Sequence, residues 1–312
     1  TDDLTFLREE EDLVPDLVVI SGDLAEEGKR SEFEDALKFV QGLLEHLELG
    51  PDRTVVIPGN HDLNWAACRA YFNDCEADER KPLPPYWAKW RHYVWFFAQL
   101  YRDQPGFVFS EAQPWTLFEI PDLELVVAGM NSTMAETHEG GHHGYVWEAQ
   151  LRWFADALKQ YREKEWLRIG AVHHNVVRGA KDDDENLEDA EDLGRILGGS
   201  FNLLLHGHTH EAKLHWLSEK VPIFSTGSAA LKSETWPPDV PNQYQFLRIG
   251  REKIGRWGRA PSSWRRGGTT SRRCTTATSP SSSASRRPIR SSIKASGPLS
   301  SVSWERPQPR AS

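Results

Sequence analysis

Four short polar motifs follow apolar, strand-like runs, and they constrain the fold more than any other feature of the sequence. They are Gly22-Asp23, Gly59-Asn60-His61-Asp62, His173-His174 and Gly207-His208-Thr209-His210. The runs before them are short and rich in Val, Ile and Leu, which predicts buried strands. Strands alternate with helical periodicity, so we predict an α/β domain. Because such domains bind ligands beyond the carboxyl ends of their strands, we expect the motif side chains to share one cleft.

The side chains of these motifs are of the types that bind divalent metals. Asp, Asn and His offer oxygen and nitrogen ligands suited to Mn, Fe, Co or Zn. A carboxylate can bridge two ions, and two ions a few ångströms apart can hold a phosphate between them. His208 and His210 stand two residues apart after a strand, a spacing that can send one imidazole to each ion. The motifs therefore predict a centre of two divalent metal ions, whose identity the sequence leaves open.

In this order the motifs resemble those of the calcineurin-like metallophosphoesterases, and within that family the bacterial phosphodiesterases of the cyclic-nucleotide type. The resemblance extends from residue 16 to about residue 257. It implies an α/β fold in which a β-sandwich of two mixed sheets is flanked by helices. It also implies a hydrolase that cleaves phosphodiester or phosphomonoester bonds with a hydroxide activated by two metal ions. A small phosphate ester is the expected substrate, with a cyclic nucleotide as the leading candidate.

The resemblance also implies a role for each residue of the motifs. Asp23 would bridge the two ions. Asn60, His173 and His208 would complete one metal site, and His210 would belong to the other.

The second motif would also carry the catalytic pair. His61 would stabilise or protonate the leaving-group oxygen, and Asp62 would orient His61.

One motif of the family, an opening Asp-x-His at the end of its first strand, is absent from this sequence. Residues 1–15 contain acidic residues but no histidine and no apolar run. We therefore expect that the first strand is missing and that the chain is truncated at its N terminus. One metal site would keep four ligands, whereas the other would keep Asp23 and His210.

Composition divides the chain into two regions. We assign residues 1–258 to the phosphoesterase domain, with an aromatic helical insertion at about 63–115 that would form either a lid or a small aromatic core. Residues 259–312 are rich in Ser and Arg and carry 11 basic residues but one acidic residue. Such a segment has too little apolar surface to offset its ordering entropy, so we predict a disordered tail. A reading-frame error is the alternative explanation of the abrupt change in composition.

Charge and cysteine content limit the partners. The formal net charge is -9. The acidic residues lie in the first region, which argues against a broad nucleic-acid-binding face. The three cysteines show no disulfide or zinc spacing, and no membrane span is encoded, so we predict a cytoplasmic protein. Its oligomeric state is left open.

Two other functions stay open, and both follow from the same motifs. One is a non-catalytic metal-binding or interaction module, because the first motif is absent. The other is a nuclease of the same family. Weaker candidates for substrate or metal contact are His138, His142, His143 and Arg178.

Overall fold

The computed structural model describes residues 4–5, 8, 14–140, 143–177, 186–217, 219–229 and 243–249, together with the backbone of 253–259, 273–276 and 302–303. It divides the chain into two units, Thr1–Val240 and Pro241–Ser312. This division falls before the change in composition that follows residue 258. The domain limit at 258 stays a prediction, and the four motifs that the resemblance assigns to metal binding all lie in the first unit.

A mixed sheet of six strands forms the centre of the first unit. Its members are β3 (Thr116–Ile120), β4 (Leu125–Gly129), β5 (Leu167–Val172), β6 (Leu203–His206), β7 (Leu214–Leu217) and β8 (Val221–Ser225). The order across the sheet is β3-β4-β5-β6-β8-β7. The inner pairs from β4 to β8 are parallel, while β3 and β7 run antiparallel at the two edges. Because these strands are parallel, the carboxyl ends of β5 and β6, with their histidine motifs, lie at the same end of the sheet.

A second, smaller sheet carries the first two motifs. It consists of β1 (Val18–Ile20) and β2 (Thr54–Val56), which pair in parallel with Val19 opposite Val55. The predicted fold class, a mixed sheet with flanking helices, is confirmed. In the described part of this unit, however, the second sheet is a two-stranded parallel pair and not a mixed sheet.

Helices flank the sheets of this unit, and five of them have both ends within the described residues. They are α1 (Arg30–Leu47), α2 (Trp65–Ala77), α3 (Arg91–Leu100), α4 (Glu148–Glu163) and α5 (Ala190–Leu197). Helices α4 and α5 bury apolar residues, among them Leu151, Phe154 and Leu193, against Val126 and Leu204 of the six-stranded sheet. Of the helices in the described residues, none is long and apolar enough to cross a membrane.

The aromatic segment between α2 and β3 forms a core. Trp90, Tyr93 and Phe96 are completely buried. Phe96 packs on Phe33 of α1 with ring centroids 5.5 Å apart, and Tyr93 packs on Phe109 at 4.9 Å. Of the two possibilities left open by the sequence, the structure shows the aromatic core.

This segment also completes the hydrogen bonding of β2. Pairing with β1 uses one edge of β2. At the other edge the hydroxyl of Tyr101 donates to the carbonyl of Thr54 at 2.8 Å, and that of Tyr93 donates to the carbonyl of Val56 at 3.2 Å. Without the two tyrosines, these buried carbonyls would lose their hydrogen-bond partners. Tyr93 of α3 and Tyr101 directly after it therefore supply the hydrogen bonds that a neighbouring strand would otherwise make.

We predict that Tyr101→Phe lowers the free energy of unfolding by about 1–2 kcal/mol, because it leaves the buried Thr54 carbonyl without its donor. Urea unfolding followed by circular dichroism would measure the change. Tyr71→Phe is the matched control, since the Tyr71 hydroxyl accepts a hydrogen bond from the Leu83 amide in an exposed setting. Equal effects of the two substitutions would contradict this assignment.

In the second unit, β9 (Tyr244–Ile249) and β10 (Lys253–Arg259) pair antiparallel. Two short strands within the Ser/Arg-rich segment, Arg273–Thr276 and Val302–Ser303, pair with β10. The other residues of 260–312 lie outside the described part of the chain. The disordered tail therefore stays a prediction for those residues.

Candidate metal centre

The turn after β1 places Asp23 beside the ends of β2 and β5. Gly22 and Asp23 both have positive φ angles, 99° and 59°. A Cβ on Gly22 would lie 2.5 Å from Nδ1 of His173 and 2.7 Å from the amide nitrogen of Gly59. The close approach of the three loops therefore requires a residue without a side chain at position 22.

Asp62 ties the first two motifs together. Its Oδ2 accepts hydrogen bonds from the amides of Asp23 and Gly59, both at 2.9 Å, and its Oδ1 accepts one from the Ala25 amide at 2.9 Å. The side chain is completely buried. Burial, followed by repulsion from Asp23, raises the pKa of Asp62 to about 7, although the amides favour its charged form.

The contacts of Asp62 differ from the orienting role expected for it. The ring of His61 has another partner: its Nδ1 lies 3.0 Å from the carbonyl oxygen of Glu26. With that carbonyl as acceptor, Nδ1 carries the proton. The Asp62 carboxylate organises the backbone around His61, and Glu26 orients the ring.

The imidazole of His173 is the meeting point of the four motifs. Its Nδ1 donates to the carbonyl of Ser21 at 2.6 Å. Its Nε2 lies 2.9 Å from Oδ1 of Asn60, 3.1 Å from Nδ1 of His208 and 3.3 Å from Oδ2 of Asp23.

Asp23, His173 and His208 thus form a group in which the possible ligand atoms all lie within 4.8 Å of one another. With the Asn60 oxygen, this donor set of nitrogen and oxygen atoms fits a borderline divalent metal. The side chains expected to complete one metal site are therefore adjacent in space. Their role as ligands is a proposal.

The charges in this group are strongly coupled. Burial opposes protonation of His173, but the Asp23 carboxylate outweighs it, and the pKa of His173 rises to about 9. Burial, and then the neighbouring His173, lower the pKa of His208 to about 3. Although burial favours the neutral acid, the histidines hold the pKa of Asp23 well below its usual range. When no metal is bound, the raised pKa therefore favours a proton on His173, among the groups that we expect to bind a cation.

Three of the predicted metal-binding residues have left-handed backbone conformations. The φ angle is 59° at Asp23, 62° at His208 and 52° at His210. Such angles cost non-glycine residues on the order of 1–3 kcal/mol each, and they cluster at functional sites. His210 follows His208 by two residues, and its charge contributes to the lowered pKa of His208. Seven other non-glycine residues in the described part of the chain also have positive φ angles, so this conformation is not specific to the motifs.

The other histidines have neighbours outside this group. The ring of His138 packs on Phe72 with centroids 4.8 Å apart. Nδ1 of His143 lies 3.6 Å from Oε1 of Glu188. His206 is buried with Nδ1 on the Gly207 carbonyl, as expected for a structural histidine. His142 and Arg178 lie outside the described residues.

Sequence reasoning gave no role to His174, the second residue of the histidine doublet. The structure buries it completely, with its ring centroid 4.7 Å from that of His208. The His173-His174 doublet is the sequence signal for a second role, because consecutive side chains at the end of a strand point in different directions.

The comparisons with known proteins agree with this fold. A family model described as calcineurin-like phosphoesterase matches residues 3–212. A solved dimetal phosphatase from Danio rerio is similar in structure, with a TM-score of 0.53 and 16% sequence identity over 83% of this chain and 84% of that one. Vacuolar protein sorting 29 from Cryptosporidium parvum has a TM-score of 0.36 and 13% identity, over 87% and 86% of the two chains. No curated protein matches the chain in sequence.

The fold and the residues gathered at its strand ends are those of a metal-dependent hydrolase of phosphoric esters. The match extends over more than half of the sequence, and the chain belongs to the calcineurin-like phosphoesterase family.

We predict that Gly59→Ala disrupts metal binding, because a Cβ at this position would lie 2.2 Å from Oδ1 of Asp23 and 2.8 Å from Cε1 of His173. The affinity for Co²⁺, measured by titration, should fall at least about tenfold. Gly42→Ala is the control: it lies in α1 and a Cβ there has open space, so it should leave the affinity unchanged. Wild-type affinity in Gly59→Ala would show that this close packing is not required.

We predict that the metal-free protein loses stability as the pH rises from about 7 to 9.5. The pKa of His173 is raised above that of an unfolded histidine, to about 9. Its contribution is therefore fully present below pH ~6.5 and lost as the pH rises through about 9. The measurement is the thermal midpoint of the chelator-treated chain across this range, compared with His173→Gln. A constant difference between the two proteins across the range would contradict the raised pKa.

Proposed function

We propose that this hydrolase cleaves phosphodiesters at a centre of two divalent ions, with cyclic nucleotides as its leading substrate class. The observation that supports this proposal is the grouping of Asp23, His173 and His208, whose possible ligand atoms lie within 4.8 Å of one another, with Oδ1 of Asn60 2.9 Å from Nε2 of His173. Membership of the family gives the reaction class, which is hydrolysis of phosphate esters. The residues of the Gly-Asn-His-Asp and Gly-His-Thr-His motifs favour a diester as the substrate.

The proposed ligands have distinct tasks. Asp23 provides the negative charge, and its strained backbone directs the carboxylate between the loops. Asn60 adds a neutral oxygen, so it does not repel an anionic substrate. His173 binds through Nε2, since Nδ1 is held by Ser21. When bound, the ions would neutralise phosphate charge and generate the nucleophile from water.

His61 is the proposed general acid. Its backbone amide donates to Oδ1 of Asp23 at 3.1 Å, which fixes the residue beside the metal ligands, and its side chain is exposed to solvent. Because Nδ1 is oriented by the Glu26 carbonyl, Nε2 is the atom that can deliver a proton to the leaving oxygen.

The second ion requires more ligands than Asp23 and His210. Among the residues that the structure describes, one group of close histidine and carboxylate ligands is found. We propose that an Asp-x-His segment before residue 1 of this sequence supplies the others. The truncation and the two-ion centre stay predictions, as do the bacterial origin and the cytoplasmic location.

Two alternatives make different predictions about the same protein. A non-catalytic module would bind metal and hydrolyse nothing, even with a restored Asp-x-His segment. A nuclease would prefer polymeric DNA or RNA to cyclic nucleotides. The excess of acidic residues before residue 259 counts against extended contact with a nucleic-acid backbone.

We predict that the 312-residue chain binds about one equivalent of divalent metal and hydrolyses bis(p-nitrophenyl) phosphate poorly, since two-ion hydrolysis needs both ions. A protein extended upstream by a strand that ends in Asp-x-His should gain a second equivalent and a large increase in kcat. Elemental analysis and the release of nitrophenol would measure both quantities. Full activity of the 312-residue chain would contradict the two-ion mechanism.

In the extended protein, we predict that His61→Ala lowers kcat by about 10²-fold or more with unchanged metal content, as expected for the loss of a general acid. His46→Ala in α1 is a control outside the metal centre and should retain full activity. A loss of bound metal in His61→Ala would instead assign this residue to the ligands.

The substrate preference has a separate test. Comparable rates with cyclic nucleotides, nitrophenyl monoesters and DNA would contradict the proposed preference for small diesters.

A further inference from the structure

The imidazole of His174 lies directly against the proposed metal ligand His208. The two ring centroids are 4.7 Å apart, and the planes are inclined by 44°. On another side, the ring of His173 approaches His208 at 4.9 Å with an angle of 73°. His208 has a left-handed φ angle of 62°. Its side chain therefore projects from a strained turn, and neighbouring rings limit its orientation.

His174 is itself held from several directions. Its Nδ1 lies 2.8 Å from Oγ of Ser132, which also accepts the His174 amide at 3.3 Å. Its Nε2 lies 3.7 Å from Oε1 of Glu136, and both side chains are completely buried. A Cβ on Gly144 would lie 2.5 Å from Cγ of His174, so the backbone of Gly144 packs directly on the ring.

These contacts argue against His174 as a metal ligand. Ser132 can donate its hydroxyl proton to Nδ1 while it accepts the amide proton, so Nδ1 is occupied. A carboxylate near Nε2 favours a proton on that nitrogen. Both ring nitrogens therefore have protein groups as neighbours, and the ring itself lies against that of His208.

The segment that carries Ser132 and Glu136 is also fixed. Nζ of Lys89 donates to the carbonyls of Thr133, Met134 and Glu136 at 2.7, 3.0 and 2.7 Å. Lys89 is completely buried. The three carbonyls accept hydrogen bonds from one side-chain nitrogen. These bonds hold in place the loop whose Ser132 and Glu136 contact His174.

We propose that His174 is a positioning residue that holds the imidazole of His208 in the orientation required for metal binding. The proposal rests on the metal centre of the proposed function, but it does not depend on the substrate. Ligand orientation by surrounding groups typically changes metal affinity 10–100-fold. Without the His174 ring, His208 has space to rotate its Nδ1 away from the other ligands.

The test is a Co²⁺ titration of the unaltered chain and of His174→Ala and His174→Phe, followed by the visible absorption of bound Co²⁺. We expect His174→Ala to bind Co²⁺ 10–100-fold more weakly, with altered band positions. His174→Phe retains a flat ring and should recover part of both properties. His92→Ala replaces a half-buried histidine of α3 that bonds to the Gly28 carbonyl and serves as the control.

An unchanged Co²⁺ spectrum and affinity in His174→Ala, with a lower melting temperature, would overturn the proposal and assign His174 to stability alone. Equal changes in His92→Ala would also overturn it. These results are distinguishable from failure of the proposed function. If the unaltered chain and its extended form bind Co²⁺ through His208 but hydrolyse no phosphate ester, the proposed function is wrong and the positioning role can still be measured. If His208→Ala leaves Co²⁺ binding unchanged, both are wrong.

Discussion

The approach of several electron-rich atoms to Nε2 of His173 is the constraint on which the rest of the site depends. The carboxylate of Asp23, the amide oxygen of Asn60 and the imidazole of His208 all lie within 3.3 Å of that nitrogen. Lone pairs at such distances repel one another unless a proton or a metal ion lies between them. The Asp23 carboxylate raises the pKa of His173 and so favours a proton at this position in the metal-free protein. A divalent cation would relieve this repulsion more completely, because it can interact with all four groups.

This convergence requires backbone conformations that are costly by themselves. Asp23 and His208 have left-handed conformations, and the loops approach closely enough to exclude a side chain at Gly22. Asp62 offsets part of this cost, since its carboxylate binds amides from two loops at once. Aromatic residues of the α3 region fix the second of these loops from behind, through the edge of β2. The site is thus supported by groups that take no part in binding the ions.

The fold class and the clustering of the motifs could be predicted because both follow from local patterns. An apolar run that ends in Gly-Asp or Gly-His signals a strand followed by a loop, and parallel strands bring such loops to one edge. The partners of Asp62 and His61 could not be predicted, because they are backbone amides and a carbonyl that have no sequence signature. β3 has a weak sequence signal for a related reason: Thr116–Ile120 lies at an edge of the sheet and directly follows an aromatic segment. Edge strands carry a weaker apolar signal than central ones.

The charge of the ligand group bears on the kind of phosphate that it can hold. Asp23 is ionised and His208 is neutral, since the pKa of the carboxyl is lowered and that of the imidazole falls to about 3. His173, which its raised pKa favours in the protonated form when no metal is bound, would lose its Nε2 proton on binding an ion. With Asn60 neutral, the four groups would then carry one negative charge, and a bound divalent ion would leave one positive charge. That charge matches a diester monoanion but does not neutralise a monoester dianion. A second ion, bound through His210 and further ligands, would raise the positive charge and favour the more highly charged transition state. In the proposed two-ion mechanism, the number of bound ions would therefore affect both which esters bind and how fast they react.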